Sequence, residues 1–168
     1  MKNKKWSDSL SVSLSSVIIK VLFVLFLASS IYAPFAIKTY GILFEGIAIP
    51  LAVTFYACAV FAFTALYGLG RLVKNIRLEQ IFIPMNVGYL RLLSWCCYGV
   101  AAATGFFSLF IVSSGIDKSN DMGNGFLSWN FAFFVIAGAA AFFGLILRVL
   151  KNVFEEAVKL REESEYTI

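Results

Sequence analysis

Charged residues along this chain come in bunches, and long uncharged runs lie between them. There are 17 uncharged residues between Lys20 and Lys38, 25 between Glu45 and Arg71, 25 between Arg91 and Asp117, and 26 between Asp121 and Arg148. A helix rises about 1.5 Å per residue, so about 20 residues cross a hydrocarbon core about 30 Å thick. The last three runs reach that length. The first reaches it once Lys20 sits at the interface and its stem snorkels outward. The pattern predicts an all-α integral membrane protein of one domain, residues 1–168, with spans over about residues 17–38, 46–71, 88–114 and 126–150. Membrane strands would alternate apolar and polar residues. The run "FYACAVFAFTALYGLG" is apolar on every side, and a helix satisfies its backbone within its own segment.

Between the spans the polar signals predict links. Trp6, Leu10, Val12 and Leu14 read as an interfacial extension of the first span. The segment "VLFVLFLASS" has the look of a signal-peptide core, but the apolar run continues through Ile37, so the span is expected to be retained. Pro34 is expected to bend or stop that span, and Pro50 to lie in the first turn of the second. "RLVKNIRLEQ" reads as a continuation of the second helix that Pro84 breaks, with Asn86 as N-cap of the third. "GIDKSNDMGNG" is a loop, and Trp95 and Trp129 mark opposite membrane boundaries. Pairs of small residues four apart, Ala101–Gly105, Ala137–Ala141 and Ala140–Gly144, suit close packing of spans three and four. The same spacing leaves a homo-oligomer open.

Charge sets the orientation. Twelve of the fourteen basic residues fall before the first span, between the second and third, or after the fourth, counting Lys20 at that side. The positive-inside rule then places both termini and the middle link in the cytoplasm. Topology accounts for the formal charge of +4, and no basic patch interleaved with aromatics points to direct nucleic-acid binding. The composition agrees: 60% apolar and 14% charged, against about 45–50% and 25% for soluble domains.

Candidate chemistry is sparse. The chain has no His, which removes paired-His haem ligation, His-based zinc and the commonest general base. Cys58, Cys96 and Cys97 form no C-x-x-C pair and read as small apolar residues. Glu45 and Asp117 lie at span ends, so no carboxylate marks a proton path within the membrane. Thr54, Thr64, Thr104, Ser108 and Asn130 can bond locally or across helices. No enzyme activity, metal or cofactor is expected.

After the fourth span, Ile146, Leu150, Val153, Ala157 and Leu160 repeat at spacings of 4, 3, 4 and 3, one apolar stripe on a helix. Glu155 and Lys159 stand at a favourable i, i+4 spacing. The last span is expected to run without a break into a cytoplasmic amphipathic tail helix over residues 151–164. From Asn152 onward five Glu face Lys159 and Arg161, while the link from Arg71 to Arg91 carries four basic residues against Glu79. The two pieces have opposite sign on one side of the membrane.

The tail "VFEEAVKLREESEYTI" resembles the C-terminal signature of the YoaS-like bacterial membrane proteins, domain of unknown function 2975. The matching positions are Val153, Phe154, Ala157, Leu160, Glu163, Thr167 and Ile168. The link is similar to that family's second signature at Phe82, Asn86, Leu90 and Arg91, with Glu79-Gln80-Ile81 where a Gly usually precedes the Phe. The resemblance implies four spans and no established activity. Family members are often encoded beside a small helix-turn-helix regulator, which implies such a protein as partner.

The expected function is a non-enzymatic membrane anchor or regulator, with membrane lipid around it and a small cytoplasmic partner. Its docking residues would be Arg71, Lys74, Arg77, Phe82, Asn86, Arg91, Val153, Phe154, Ala157, Leu160, Glu163 and Ile168. The alternative is a small permease or lipid-binding membrane protein.

Overall fold

The computed structural model describes the backbone of residues 2–43, 48–78, 80–114 and 123–165, and the side chains of residues 13–36, 38, 49–78, 80–113 and 130–163. Over these residues the chain forms α1 (Lys2–Leu43), α2 (Ala48–Arg77), α3 (Pro84–Ser114) and α4 (Gly123–Glu165), with no strand. Each holds a segment long and apolar enough to cross a membrane: Ser13–Ala36, Ile49–Arg77, Pro84–Ser113 and Asn130–Glu163. By length and composition this is a multi-pass membrane protein. The expectations for Trp129, the outer loop, and the side chains of Trp6, Leu10, Val12, Thr167 and Ile168 lie outside the described residues.

Each helix packs on its neighbours in sequence. Among the described residues α1 comes close to neither α3 nor α4, and α2 does not come close to α4. The layout is thus an open row of helices rather than a bundle closed on a shared core. Lipid covers apolar side chains as well as a neighbouring helix does, so no hydrophobic force closes the row. Its centre is α3, which supplies Val87, Leu90, Leu93, Cys96, Phe107 and Ile111 to the core. Large apolar side chains stay exposed on the other helices, among them Val24, Phe35, Val53, Phe131 and Phe142. Water would penalise that surface, and acyl chains do not.

Aromatic rings and close approaches fix the row. Phe23 and Phe26 meet Phe63 edge-on, with centroids 5.2 and 6.2 Å apart. Phe107 meets Phe133 in the same manner at 4.9 Å, with Ile111 and Leu51 packed around them. At Gly144 a Cβ would lie 3.0 Å from the Tyr98 ring and 3.3 Å from Cβ of Cys97, and Ser94 donates a hydrogen bond to the Gly144 carbonyl at 2.9 Å. Glycine lets α4 sit close against α3 there, and a larger residue would push on the Tyr98 ring. Of the small-residue pairs, Ala140–Gly144 therefore lies in a helix contact. In the Ala101–Gly105 pair, Gly105 faces open space, since nothing lies within 4 Å of a Cβ built on it.

Polar groups within the spans are spent on structure. Thr54, Thr64 and Thr104 donate to carbonyls of their own helices, at Pro50, Val60 and Val100. Ser108 donates across to Asn130. Of the two expected effects of Pro34, the stop does not occur: it lies inside α1, and the helix continues to Leu43. In lipid a broken helix has no water to turn to, so losing one backbone bond is the smaller cost.

Ile19 lies beside Gly70 and Phe26 beside Phe63, so α1 and α2 run antiparallel. Asn75 meets Asn86, and Phe82 meets Phe154. The start of α1, the end of α2, the start of α3 and the far part of α4 thus share one end of the row. Lys20, Arg71, Lys74, Arg77, Arg91, Arg148 and Lys151 gather there, and Lys38 is at the other end. With 43 residues, α4 is about 64 Å long at 1.5 Å per residue, which exceeds a bilayer of about 40–45 Å including headgroups.

Candidate functional site

The basic end is built around the link between α2 and α3. The helix α2 ends at Arg77. Leu78 N–H donates to the Lys74 and Asn75 carbonyls, and Gln80 N–H reaches back to the Asn75 carbonyl at 3.0 Å. That six-to-one bond satisfies carbonyls the last turn would otherwise leave open. The helix is therefore closed by its own backbone well before Pro84, rather than broken by it as expected. Pro84 is instead the first residue of α3, where its missing N–H has no helical partner to lose.

Asn86 is a correction too. It is not an N-cap but lies in the first turn of α3, fully buried at 0% exposure. Its Nδ2 donates to the Gln80 and Ile81 carbonyls, both at 2.8 Å, and its Oδ1 accepts from Nδ2 of Asn75 at 2.7 Å. One side chain thus ties the end of α2 and the link to the start of α3. Buried amides of this kind are tolerated only with their partners in place.

The link also touches α4. The Phe82 and Phe154 rings lie 5.7 Å apart, and one turn on Val158 is buried. The contact face of the tail therefore runs through Lys151, Phe154 and Val158. The expected stripe is not that face. Val153 and Leu160 stand 59% and 60% exposed, while Ala157 is half-buried. Phe154 follows Val153 by one residue, about 100° round the helix, so the link grips α4 beside the stripe and leaves the stripe uncovered.

The expected Glu155–Lys159 pair is replaced. Lys151 forms the ion pair with Glu155, also at i, i+4. Lys151 is half-buried on the contact face and its ammonium is held against the helix, whereas Lys159 is exposed. The hydrogen bond and charge of Lys151 hold the Glu155 carboxyl below its ordinary range, with smaller help from Lys159 and Arg91.

The remaining expected residues are dispersed. Arg71 lies over the Tyr67 ring at 5.3 Å and donates to its hydroxyl at 3.2 Å. Lys74, Arg77, Arg91 and Glu163 are exposed, and Ile168 lies outside the described residues. The structure therefore brings Phe82, on the link that Asn86 holds, against Phe154 and leaves the other charges on the surface. Sequence reasoning missed Asn75, Ser94 and Lys151. Asn75 sits in a basic helix end and looks solvated there; only its spacing across the link from Asn86 hints at a pair. Among the described residues no three of Cys, Asp and Glu gather as a metal-binding group.

A family model described as "Protein of unknown function (DUF2975)" matches residues 36–168. The chain belongs to this family. The match takes in the link, Asn86, the Phe82–Phe154 contact and the whole of α4, and begins near the end of α1. Neither the curated proteins nor the solved structures contain a match. What sets this DUF2975 chain apart from a plain row of spans is thus its basic end: a stapled link, a clasped tail helix and an uncovered apolar stripe.

Proposed function

We propose that this DUF2975 protein is a non-enzymatic bacterial inner-membrane protein that anchors or regulates a small soluble partner at its cytoplasmic face. Both termini and the middle link lie in the cytoplasm on this reading, as the positive-inside rule requires. The observation that carries the reading is the exposure of Val153 and Leu160 on a helix that outruns the bilayer and is held by Phe82. An apolar stripe fixed in place beyond the lipid suits a helix-in-groove contact. The family resemblance supplies the candidate, a small helix-turn-helix regulator encoded nearby.

The permease alternative has less support. A substrate path needs polar groups free to face it, and the hydroxyls of Thr54, Thr64, Thr104 and Ser108 are bound within and between the helices.

The experiment is co-purification from detergent with the neighbouring regulator, using the full chain and a chain ending at Lys151. The full chain is expected to retain the regulator. The shortened one is expected to insert with unchanged topology and lose it. Equal retention by both would remove the tail from the function.

A further inference from the structure

We propose that the basic end holds an anionic phospholipid, its phosphate between α3 and α4 and an acyl chain along the α2–α3 groove. A cleft of about 180 Å³ is lined by Arg91, Ser94 and Trp95 of α3 and by Arg148 and Lys151 of α4. Three cations converge there. Among the described residues Arg148 has no carboxylate partner, Arg91 acts on Glu155 only through space, and Lys151 alone is paired. Ser94 spends its proton on the Gly144 carbonyl, a bond that ties α3 to α4 beside the cleft.

The depth of the cleft selects a lipid over a soluble anion. Arg91 is the last charge before one uncharged run and Arg148 the first after another, so both sit where apolar chain meets headgroup. Trp95 is 62% exposed between them, a side chain suited to that level. Trp95 also borders a second hollow, an apolar groove of about 530 Å³ whose walls include Val60, Phe61, Leu92 and Gly99. Gly99 shapes it, since a Cβ there would collide with the Phe61 ring. A phosphate lodged among the three cations would thus have apolar space beginning on the far side of Trp95. A diacyl phospholipid with net negative charge supplies both parts. Basic pockets between spans at a membrane surface are suited to such headgroups.

The test uses the full chain in phosphatidylcholine vesicles, with Trp6 and Trp129 replaced by Phe so that Trp95 alone reports. Phosphatidylglycerol with brominated chains is expected to quench Trp95 beyond its share of the bilayer, and equally brominated phosphatidylcholine only in proportion to its share. Arg91→Gln and Arg148→Gln should each lower the preference by about fivefold. Glu155→Gln frees Lys151 and should raise it. Lys20→Gln removes a cation at the same end but outside the cleft and should leave it unchanged. Equal quenching by both lipids would overturn the proposal. So would an equal loss in Lys20→Gln, which would reduce the effect to diffuse surface charge. Displacement of the lipid by soluble glycerol phosphate at matched concentration would assign the cleft to small anions instead.

Discussion

Replacing Asn86 with leucine is expected to destabilise the protein by about 2–4 kcal/mol, a large part of the stability of a domain this size. Leucine keeps the branched shape but is bulkier, so crowding at this buried site adds to a loss that comes mainly from hydrogen bonds. The Gln80 and Ile81 carbonyls lose their donor and the Asn75 amide loses its acceptor. A buried polar group without its partner costs about 1–3 kcal/mol, and the exposed position of the link lets water recover some of that. Asn75→Ala removes one of the three bonds from a half-buried site and is expected to cost about 1 kcal/mol. Unfolding in detergent, followed together with protease cleavage in the link, measures both. Cleavage of the link should rise in Asn86→Leu before the spans unfold. A leucine variant as stable and as protected as the parent would remove the staple from the account.

The second large effect concerns the partner. Val153→Asp combined with Leu160→Asp is expected to weaken binding of the regulator by at least about a hundredfold. Each large apolar side chain contributes about 1.5–3 kcal/mol when fully buried, so two charged replacements exceed the roughly 2.8 kcal/mol that a hundredfold represents. The test is clean because both side chains face away from the row and the packing through Phe154 and Val158 is untouched. Reversing a single exposed tail glutamate should weaken binding less than tenfold, and mainly at low salt. Co-purification and titration with the soluble regulator read both. Full binding by the double variant would assign the stripe to the headgroup layer instead.

The sequence carried the spans because the runs between charges are long and a membrane leaves a chain few other solutions. The continuity of α4 was legible for the same local reason: nothing between Arg148 and Glu163 stops a helix. The errors cluster where a choice is settled by tertiary contact. Asn86 suits an N-cap by type and position, but its partners are carbonyls of a link whose path depends on how α2 ends. Glu155 has a lysine four residues to either side, and only burial on the contact face selects Lys151. The stripe from Ile146 to Leu160 has helical period, yet period does not say which of two adjacent apolar faces meets a neighbour. Phe154 and Val158 form the second face, and the partner that chose it, Phe82, comes from a distant link. The open row was equally hidden, since lipid and protein neighbours ask for the same side chains.

The central claim is that four spans place the link, the tail and the N-terminus on one side, in the cytoplasm. Paired reporter fusions that signal exclusively on opposite faces of the inner membrane, joined after residue 120 and after Ile168, test it most directly. The account expects the fusion at 120 to be active only outside and the one at Ile168 only inside. Both active on the same side would contradict the four-span arrangement, and the reverse pattern would contradict the cytoplasmic assignment of the basic end.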